Sequence, residues 1–372
     1  MQNFRPTWAE INLANIAHNI REFRQHIPAS TRLMAVVKAD GYGHGSVEVA
    51  RAALSAGADW LAVALVEEGL KLRQAGIAVP ILVLGYLPPE GVASAVQYHL
   101  IPGIVDEDTL QLVEQEAIRQ RRKVAVHLKV DTGMGRLGRQ GSQAEALALR
   151  ALTSPVLDLQ GVYTHFAAAD EADKSFTMAQ LDKFKGLVEK IEGKQILAHA
   201  GNSAAAIEVP EAHLDMVRIG ISLYGLWPSS EVKRIINLKQ SMSLITRIGF
   251  IKEVTPGTPI SYGCTWRAGR ISRIATLPIG YADGYSRLLS GKGEVLIRGQ
   301  RAPLVGRVCM DYCMVDVTDL RDVAVGEEVV LYGRQGNEFI SLDEVAKHIG
   351  TINYEVACGL SVRVPRYYVY RP

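Results

Sequence analysis

The stretch LMAVVKADGYGHGSVEVARAALSAG, residues 33–57, contains the repeating unit that decides the fold. Its first five residues are apolar, as in a buried strand, and its last eleven place apolar residues at helical spacing up to Gly57, a typical helix stop. Seven more short apolar runs begin at residues 60, 81, 101, 124, 159, 195 and 214, alternating with stretches of helical period. Eight strand–helix units predict a (β/α)8 barrel of the TIM type.

An open, doubly wound sheet would produce the same alternation of strands and helices. The glycine fingerprint that such sheets carry after their first strand is replaced in this chain by KADGYGHG, residues 38–45. This replacement favours the barrel over the open sheet.

The pattern changes beyond about residue 236, where strands of period two are interrupted by proline and glycine, as in SLITRIGFIKEV at 243 and EEVVLYG at 327. One helix is predicted in this region, around SLDEVAKHIG at 341. We therefore divide the chain into an α/β barrel, residues 1–235, and a C-terminal, mostly-β domain, residues 236–372. The opening strand TWAEINL, residues 7–13, is a candidate to pack with the C-terminal domain.

Composition and charge exclude several classes of function. The chain has 41 basic and 39 acidic side chains and a net charge of +2, so we expect no nucleic acid partner. Arg5 and Glu10 stand where a signal peptide needs apolar residues, and no run is apolar for the roughly 18 residues that a membrane helix needs, so we expect a cytoplasmic protein without a membrane partner. The cysteines lack the spacing of metal ligands, and we expect reduced thiols and no metal: Cys264, Cys309, Cys313 and Cys358.

Polar residues are concentrated where the predicted barrel strands end, which is where barrels of this type carry their reactive groups. Burial lowers the pKa of a lysine that closes an apolar strand and makes a Schiff base with an aldehyde feasible, so Lys38 is the candidate nucleophile. A lysine whose ammonium reaches solvent at the barrel rim is the alternative interpretation. The residues at these strand ends are Lys38, Lys129, Arg136, His165, Asn202, Ser203, Arg218 and Gly220.

The run VVKADGYGHG, residues 36–45, resembles the pyridoxal-phosphate attachment sequence of the alanine racemase family, and Lys38 stands at the position of the family's lysine. The resemblance implies a barrel with a C-terminal β domain, pyridoxal 5'-phosphate as cofactor, alanine as substrate, and a homodimer with shared active sites. The implied activity is the interconversion of L- and D-alanine, which supplies D-alanine for peptidoglycan. Seven further runs are similar in the same order: HLKVDTGMGRLG at 127, GVYTHFAAAD at 161, HAGNSAA at 199, VRIGISLYG at 217, ISYGCTW at 260, LPIGYADGY at 277 and GRVCMDYCMVDV at 306.

The resemblance also implies which residues bind the cofactor. Ser203 is expected at the phosphate, although a plain helix N-cap is the alternative for it. Arg218 is expected to face the pyridine nitrogen; because a guanidinium keeps its proton, the nitrogen should stay unprotonated, which favours proton exchange over side reactions. A structural salt bridge is the alternative for Arg218. The full implied set is Lys38, Tyr42, His165, Asn202, Ser203, Arg218, Tyr354 and the backbone N–H groups of Gly220 and Ile221.

Racemisation needs an acid/base group on each face of the α-carbon. The resemblance assigns Lys38 to the D-alanine proton and Tyr262 to the L-alanine proton. Because a free phenol gives up its proton only at about pH 10, Tyr262 needs a neighbour that favours the phenolate. His165, with Arg218 behind it, is the candidate for this neighbour.

The substrate carboxylate is expected at Arg136 and the backbone N–H of Met310. Lys129 matches a family lysine that is often carbamylated, and an ordinary ion pair with Asp131 is the alternative. Further residues are expected in supporting positions: Asp311, Arg307, Tyr281 and Asp170.

Two other functions compete with racemisation. A decarboxylase of the same architecture would be expected to place an acidic residue, and not Arg218, at the pyridine nitrogen. A non-catalytic carrier of pyridoxal phosphate would need Lys38 but not the second domain with ISYGCTW and GRVCMDY. Alanine and serine differ by one hydroxyl, so the sequence leaves serine open as a second substrate.

Overall fold

A computed structural model describes residues 4–191 and 196–371 of the chain. The chain divides into two units, and a ring of parallel strands forms the first of them, residues 16–239. The strand order is β8-β7-β6-β5-β4-β3-β2-β9, and hydrogen bonds from the N–H of Asp215 to Ala198 O (3.1 Å) and from the N–H of Arg218 to Gly201 O (2.9 Å) join its two ends. This confirms the predicted barrel, although Gln195, where the seventh strand was predicted to begin, lies outside the described residues. The strands are β2 (Arg32–Val36), β3 (Trp60–Val63), β4 (Ile81–Val83), β5 (Ile101–Ile104), β6 (Val124–Lys129), β7 (Leu157–Tyr163), β8 (Leu197–His199) and β9 (Met216–Ile219).

Helices between these strands bury one apolar face. In α3, Val49, Ala50 and Ala53 are buried, as the helical spacing of the sequence predicts. Gly57 follows this helix with a φ of +112°, a conformation that favours glycine. The helices are α1 (Leu13–His26), α2 (Lys38–Tyr42), α3 (Ser46–Ser55), α4 (Val66–Gln74), α5 (Pro89–Gln97), α6 (Glu107–Arg119), α7 (Gly141–Thr153), α8 (Ser175–Lys190) and α9 (Ser203–Glu208).

Strand register brings polar side chains together inside the barrel. Tyr163 of β7 pairs with Lys129 of β6 on one side and with His199 of β8 on the other. Two positions earlier in both strands, His127 pairs with Gly161, after a shift of register between Val126 and His127. The strands therefore carry buried titratable groups below the ends where Lys38 and His165 stand.

A sheet of ten strands forms the second unit, residues 1–15 and 240–372, in the order β11-β14-β17-β16-β15-β18-β10-β1-β20, with β19 paired to β18. Its strands are β1 (Thr7–Asn12), β10 (Met242–Arg247), β11 (Phe250–Val254), β14 (Ser272–Leu277), β15 (Glu294–Ile297), β16 (Gln300–Val305), β17 (Cys313–Asp316), β18 (Glu328–Gln335), β19 (Glu338–Ile340) and β20 (Arg366–Val369), besides the short pair β12 (Pro259–Ile260) and β13 (Trp266–Arg267).

The opening strand β1 lies between β10 and β20 of this sheet. The division at residues 239 and 240 falls four residues after the predicted one, because Asn19 of α1 exchanges hydrogen bonds with the backbone of Lys239 (3.0 and 2.8 Å). Two helices, α10 (Leu342–Ile349) and α11 (Asn353–Cys358), belong to the unit, where the sequence predicted one. The six residues of α11 are too few to show a helical period. Among the described residues, no helix has both the length and the apolar character needed to cross a membrane.

Backbone contacts in the second unit join the segment at 280 to the segment at 309. Tyr281 N–H donates to Cys309 O (3.0 Å), and Ala282 N–H donates to Met310 O (3.1 Å). A Cβ at Gly280 would lie 2.2 Å from Cys309 O and 2.4 Å from Met310 O, so only glycine fits between the segments. The position of Met310 therefore depends on Gly280.

We predict that Gly280→Ala destabilises the second unit by about 1–3 kcal/mol or more, because two backbone carbonyls would have to move. The melting temperature should fall by roughly 3–10 °C. Gly269→Ala is the matched control, since a Cβ there meets nothing within 4 Å and Gly269 has no positive φ. Equal melting temperatures for the two variants in calorimetry would contradict this account of the packing.

Candidate active site

Lys38 is the first residue of α2, directly after strand β2 and Val37. Ala39, Asp40 and Gly41 have φ of 51, 50 and 65° and ψ of 50, 46 and 45°, so α2 is a left-handed turn. This conformation costs L-residues roughly 1–2 kcal/mol each, and surrounding contacts must hold it. The glycines of this segment stand out in the sequence, but no sequence pattern predicted the left-handed turn.

Two carboxylates hold the turn. Glu68, at the start of α4, accepts the N–H of Ala39 (2.5 Å) and the N–H of Ala64 (2.8 Å). Asp40 accepts the N–H of Ser46 (3.1 Å) and the ammonium of Lys71 (2.6 Å). These bonds fix the backbone on the C-terminal side of Lys38, and the Lys38 Nζ lies 5.9 Å from the ring centroid of Tyr42.

Hydroxyl groups of the barrel meet above Gly220. A Cβ at Gly220 would lie 2.8 Å from the Tyr42 hydroxyl and 4.0 Å from Ser203 Oγ, so the absence of a side chain leaves room for both. Ser203 Oγ accepts the N–H of Gly220 at 2.9 Å, and its own O–H remains to donate. Tyr42 and Ser203 thus present hydroxyl donors at one place, while the N–H of Gly220 is bonded to Ser203.

Arg218 is buried and donates to neutral acceptors. Its Nη1 donates to His199 Nδ1 and to His199 O, both at 3.0 Å. Its Nη2 donates to Thr164 O (2.7 Å), Ala200 O (2.9 Å) and His165 Nδ1 (3.3 Å). Burial lowers the pKa of the Arg218 guanidinium to about 10, so it stays charged at neutral pH.

The alternative that Arg218 belongs to a structural salt bridge is wrong, since no ion pair of the described residues includes it. The five hydrogen bonds that Arg218 donates start from its two terminal nitrogens. Within the described part of the chain, no hydrogen bond starts from Nε of Arg218. The Nε–H is therefore the donor that Arg218 can offer to a ligand.

His165 lies at the centre of a group of cations. Burial holds the pKa of this imidazole well below its ordinary value, and the charges of Arg218, Lys129, Arg136 and Lys38 lower it further, in that order. Since Nδ1 of His165 accepts from Arg218, its proton stands on Nε2 and the ring is neutral. Four positive charges act on one neutral side chain, which is an arrangement suited to an anionic ligand.

Lys129 is buried with 5% of its surface exposed, and its ammonium has no hydrogen-bond partner among the residues the structure describes. Its Nζ lies 5.1 Å from the ring centroid of Tyr163. Burial lowers the pKa of Lys129 to about 7, the charges of Arg218 and Arg136 add to the shift, and Asp131 opposes it.

Asp131 does not form the ion pair with Lys129 that the sequence left open. Its carboxylate accepts the N–H groups of Gly133 (3.0 Å) and Gly135 (3.1 Å) and the side-chain amide of Gln140 (2.8 Å). These bonds shape the loop after β6, on which Arg136 is exposed. Lys129 is left facing the barrel interior.

Asn202, Ile221 and Asp170 also belong to the barrel unit. Asn202 caps α9 by accepting the N–H of Ala205 (3.0 Å), and Ile221 follows Gly220 directly. The carbonyl of Asp170 accepts the hydroxyl of Ser229, which ties the loop after β7 to a later loop. For Asn202 and Asp170 the bonds seen are structural.

The other predicted site residues lie in the second unit. Ser261, before Tyr262, has a φ of +67° and donates its hydroxyl to Arg307 O (2.6 Å). A Cβ at Gly306 would lie 2.7 Å from Ser261 Cβ, so glycine permits this close contact of the two segments. Tyr262 is held on a strained turn with 71% of its surface exposed.

Met310 and Tyr281 are exposed as well, and their backbones are joined through the bonds at Gly280 described above. The guanidinium of Arg307 lies against Gly263, where a Cβ would be 3.3 Å from its Cζ. Asp311 accepts Arg363 Nη2 (2.7 Å), and Tyr354 is the second residue of α11. The second unit thus presents exposed side chains on constrained loops.

Sequence reasoning missed His127, His199 and Tyr163, which lie beneath Arg218, and Glu68, which holds α2. A signal existed for His127, because it precedes Lys129 by two residues and so shares its face of β6. No local pattern indicates that Glu68 reaches Ala39, 29 residues away.

Family models agree with this architecture. The model of the alanine racemase N-terminal domain matches residues 11–228, and the model of the C-terminal domain matches residues 241–368. The chain is 50% identical over 371 residues to the alanine racemase of Desulforamulus reducens, covering 98% of this chain and 99% of that protein.

Solved structures agree as well. The alanine racemase of Clostridium difficile 630 superposes with a TM-score of 0.94 at 40% identity and covers 99% of this chain and 97% of its own. The alanine racemase of Bacillus anthracis with bound L-Ala-P gives a TM-score of 0.92 at 39% identity, covering 99% of this chain and 96% of its own. Both units, their order and their sequences therefore lead to one assignment: the chain belongs to the alanine racemase family.

Proposed function

We propose that this protein is an alanine racemase that interconverts L- and D-alanine with pyridoxal 5'-phosphate and supplies D-alanine for peptidoglycan. The observation that carries the proposal is a buried, charged Arg218 that bonds to His165, His199 and backbone carbonyls, with Lys38 at the end of a strand of the same barrel. A lysine nucleophile and an arginine without a carboxylate partner suit an anionic aldehyde cofactor and an amino acid carboxylate.

The residues present fit the cofactor. The hydroxyls of Tyr42 and Ser203 over Gly220 would hold its phosphate, with Ile221 and Tyr354 as further candidates. The Nε–H of Arg218 would face its ring nitrogen, and Lys38 would bind its aldehyde carbon. When bound, pyridoxal phosphate withdraws electrons from the α-carbon of the amino acid and makes its hydrogen acidic.

Lys38 and Tyr262 would move the proton on opposite faces of the α-carbon. Lys38 takes or returns the proton of D-alanine, and Tyr262 that of L-alanine. His165 carries its hydrogen on Nε2, so it can donate to the oxygen of Tyr262 and favour the phenolate. Arg136 and the N–H of Met310 would hold the substrate carboxylate, with Asp311, Arg307 and Tyr281 around them.

Arg218 supports racemisation over decarboxylation. It keeps its proton at neutral pH, so the ring nitrogen that it faces would receive a hydrogen bond and no proton. A non-catalytic carrier would not need a second unit that exposes Tyr262 on a strained turn. Serine turnover is a separate question that a side-by-side rate measurement decides.

We further propose a homodimer with two-fold symmetry, in which Tyr262 and Met310 of one chain complete the site of Lys38 in the other. The exposed fractions of these two side chains, 71% and 53%, support this arrangement, because an acid/base tyrosine has to be shielded from bulk water during the reaction. Each active site would then need two chains.

Tyr262→Phe should reduce alanine racemisation by about a hundredfold or more, since one face of the α-carbon loses its proton donor and acceptor. D-alanine should still exchange its α-hydrogen in heavy water through Lys38, and NMR measures that rate. Tyr370→Phe is the control, because Tyr370 is exposed to 72%, like Tyr262. Racemisation at the normal rate in Tyr262→Phe, or exchange from both enantiomers in Lys38→Ala, would refute the two-base assignment.

Mixing Lys38→Ala and Tyr262→Phe subunits should restore about one quarter of wild-type activity. Random exchange makes half of the dimers mixed, and each mixed dimer has one site with both residues intact. If one chain supplied both residues, every site would keep a defect. No recovery above the separate variants, with exchange verified by mass-tagged subunits, would exclude the shared site.

Lys129 is proposed to carry a carbamate, because its neutral amine is the form that reacts with carbon dioxide and the product would be an anion beside Arg136. The folded pKa of about 7 lies below the ordinary value of 10.5. The unfolded chain therefore binds more protons between these values, and stability rises with pH through this window.

In carbonate-free buffer, Lys129→Met should stabilise the protein at pH 6.5 by a few kcal/mol, and this advantage should shrink as the pH rises from 7 towards 10. Bicarbonate should raise the melting temperature of the wild type and leave that of Lys129→Met unchanged. Lys123→Met, at an exposed position, is the control. Equal responses of wild type and Lys129→Met to bicarbonate would contradict the carbamate.

A further inference from the structure

Two histidines continue the hydrogen bonds of Arg218 into the barrel. His199 Nδ1 accepts from Arg218 Nη1 at 3.0 Å, and His199 Nε2 lies 2.9 Å from His127 Nδ1. A guanidinium can only donate, so the hydrogen of His199 stands on Nε2 and is donated to His127 Nδ1. The hydrogen of His127 is therefore on its Nε2, and the chain has one direction, from Arg218 to His127.

Both imidazoles are fully buried and neutral. Burial lowers the pKa of His127 to about 3, and the charge of Arg218 adds to this shift. The pKa of His199 is held well below its ordinary value by burial and then by the charge of Arg218. Neither ring gains a proton near neutral pH, so the direction of donation does not change in the working range.

The surroundings of His127 fix its ring. A Cβ at Gly161 would lie 2.5 Å from Cε1 and 2.6 Å from Nδ1 of His127, so the imidazole lies directly on the backbone of β7. The Trp60 ring covers it at a centroid distance of 5.3 Å. Tyr163 stacks on His199 at 5.0 Å with an interplanar angle of 11°. The two rings therefore keep their mutual orientation through packing.

We propose that His127 is a positioning residue for the racemase reaction: by accepting the N–H of His199, it stabilises the tautomer that leaves His199 Nδ1 open to Arg218. It is not among the residues proposed to hold cofactor or substrate, and it acts through His199 on the guanidinium whose Nε–H is proposed to face the ring nitrogen. The proposal rests on the function proposed above for Arg218.

The other tautomer of His199 would place a hydrogen on Nδ1, directed at the N–H of Arg218. Two donors would then face each other, and the guanidinium would lose one of the bonds that orient it. Without an acceptor at residue 127, the Nε2–H of His199 would be buried and unsatisfied, which reduces the preference for this tautomer by roughly tenfold or more. His127 thus influences the tautomer of His199, and through it the orientation of Arg218.

Comparison of His127→Leu with His127→Asn tests this role in the full-length holoenzyme. The two replacements have similar volume, but only the asparagine places an acceptor near the former Nδ1. With ¹⁵N-labelled histidine, NMR should find the Nε2–H tautomer of His199 in the wild type and in His127→Asn, and a larger share of the Nδ1–H tautomer in His127→Leu. The control His213→Leu removes a buried histidine that bonds to Ala206 O and should leave His199 unchanged.

Alanine kinetics give the second readout. In His127→Leu, kcat should fall about tenfold while KM changes little, because the carboxylate is assigned to Arg136 and not to Arg218. His127→Asn should keep kcat within about threefold of the wild type. Loss of packing alone would lower kcat equally in both variants and would overturn the proposal.

Gly161→Ala extends the test without changing either histidine. Its Cβ would displace the His127 ring, so the same change of the His199 tautomer is expected. This variant replaces His127→Leu in the test if His127→Leu does not fold. A share of the Nε2–H tautomer of His199 equal to that of the wild type in both His127→Leu and Gly161→Ala, or an Nδ1–H tautomer in the wild type, would overturn the proposal. The NMR result is independent of turnover, so failure of the histidine chain and failure of the alanine racemase function are distinguishable.

Discussion

Arg218 keeps a positive charge inside the barrel with no carboxylate among its hydrogen-bond acceptors, and the rest of the site depends on this arrangement. A carboxylate partner would satisfy the guanidinium and cancel the field that it exerts on His165. Neutral carbonyls and imidazoles satisfy the N–H groups and leave the charge uncompensated. The free-energy cost of burying this charge is offset in part when an anionic ligand binds, which couples the stability of the site to ligand binding.

The other buried groups respond to the same field. Burial first, and then the charge of Arg218, keeps His127, His199 and His165 neutral and lowers the pKa of Lys129 to about 7. A carbamate on Lys129 would relieve this repulsion with an anion that lies below the ligand and does not compete with it.

The features that could be predicted from the sequence are those that depend on local patterns of residues. Apolar runs and helix stops predicted the eight barrel strands, and the strand ends drew attention to Lys38 and Arg218. The histidine chain was not predictable in this way, because it depends on a register shift between β6 and β7 that places His127 on Gly161. The left-handed turn at α2 was missed for a similar reason: Glu68 stabilises a conformation that the propensities of Ala39 and Asp40 disfavour. Long-range hydrogen bonds decide both features.

The two units supply different groups to the proposed reaction. The barrel supplies fixed cations whose positions follow from strand register, so they can hold a ligand in one orientation. The second unit supplies Tyr262 on a turn with positive φ at Ser261, supported by glycine contacts at Gly306 and Gly280. In the proposed reaction, Lys38 acts on one face of the α-carbon and a second acid/base group is needed on the other face. That need would be a physical reason for a second unit, and the exposure of Tyr262 in the single chain is what a group shared with another subunit would show.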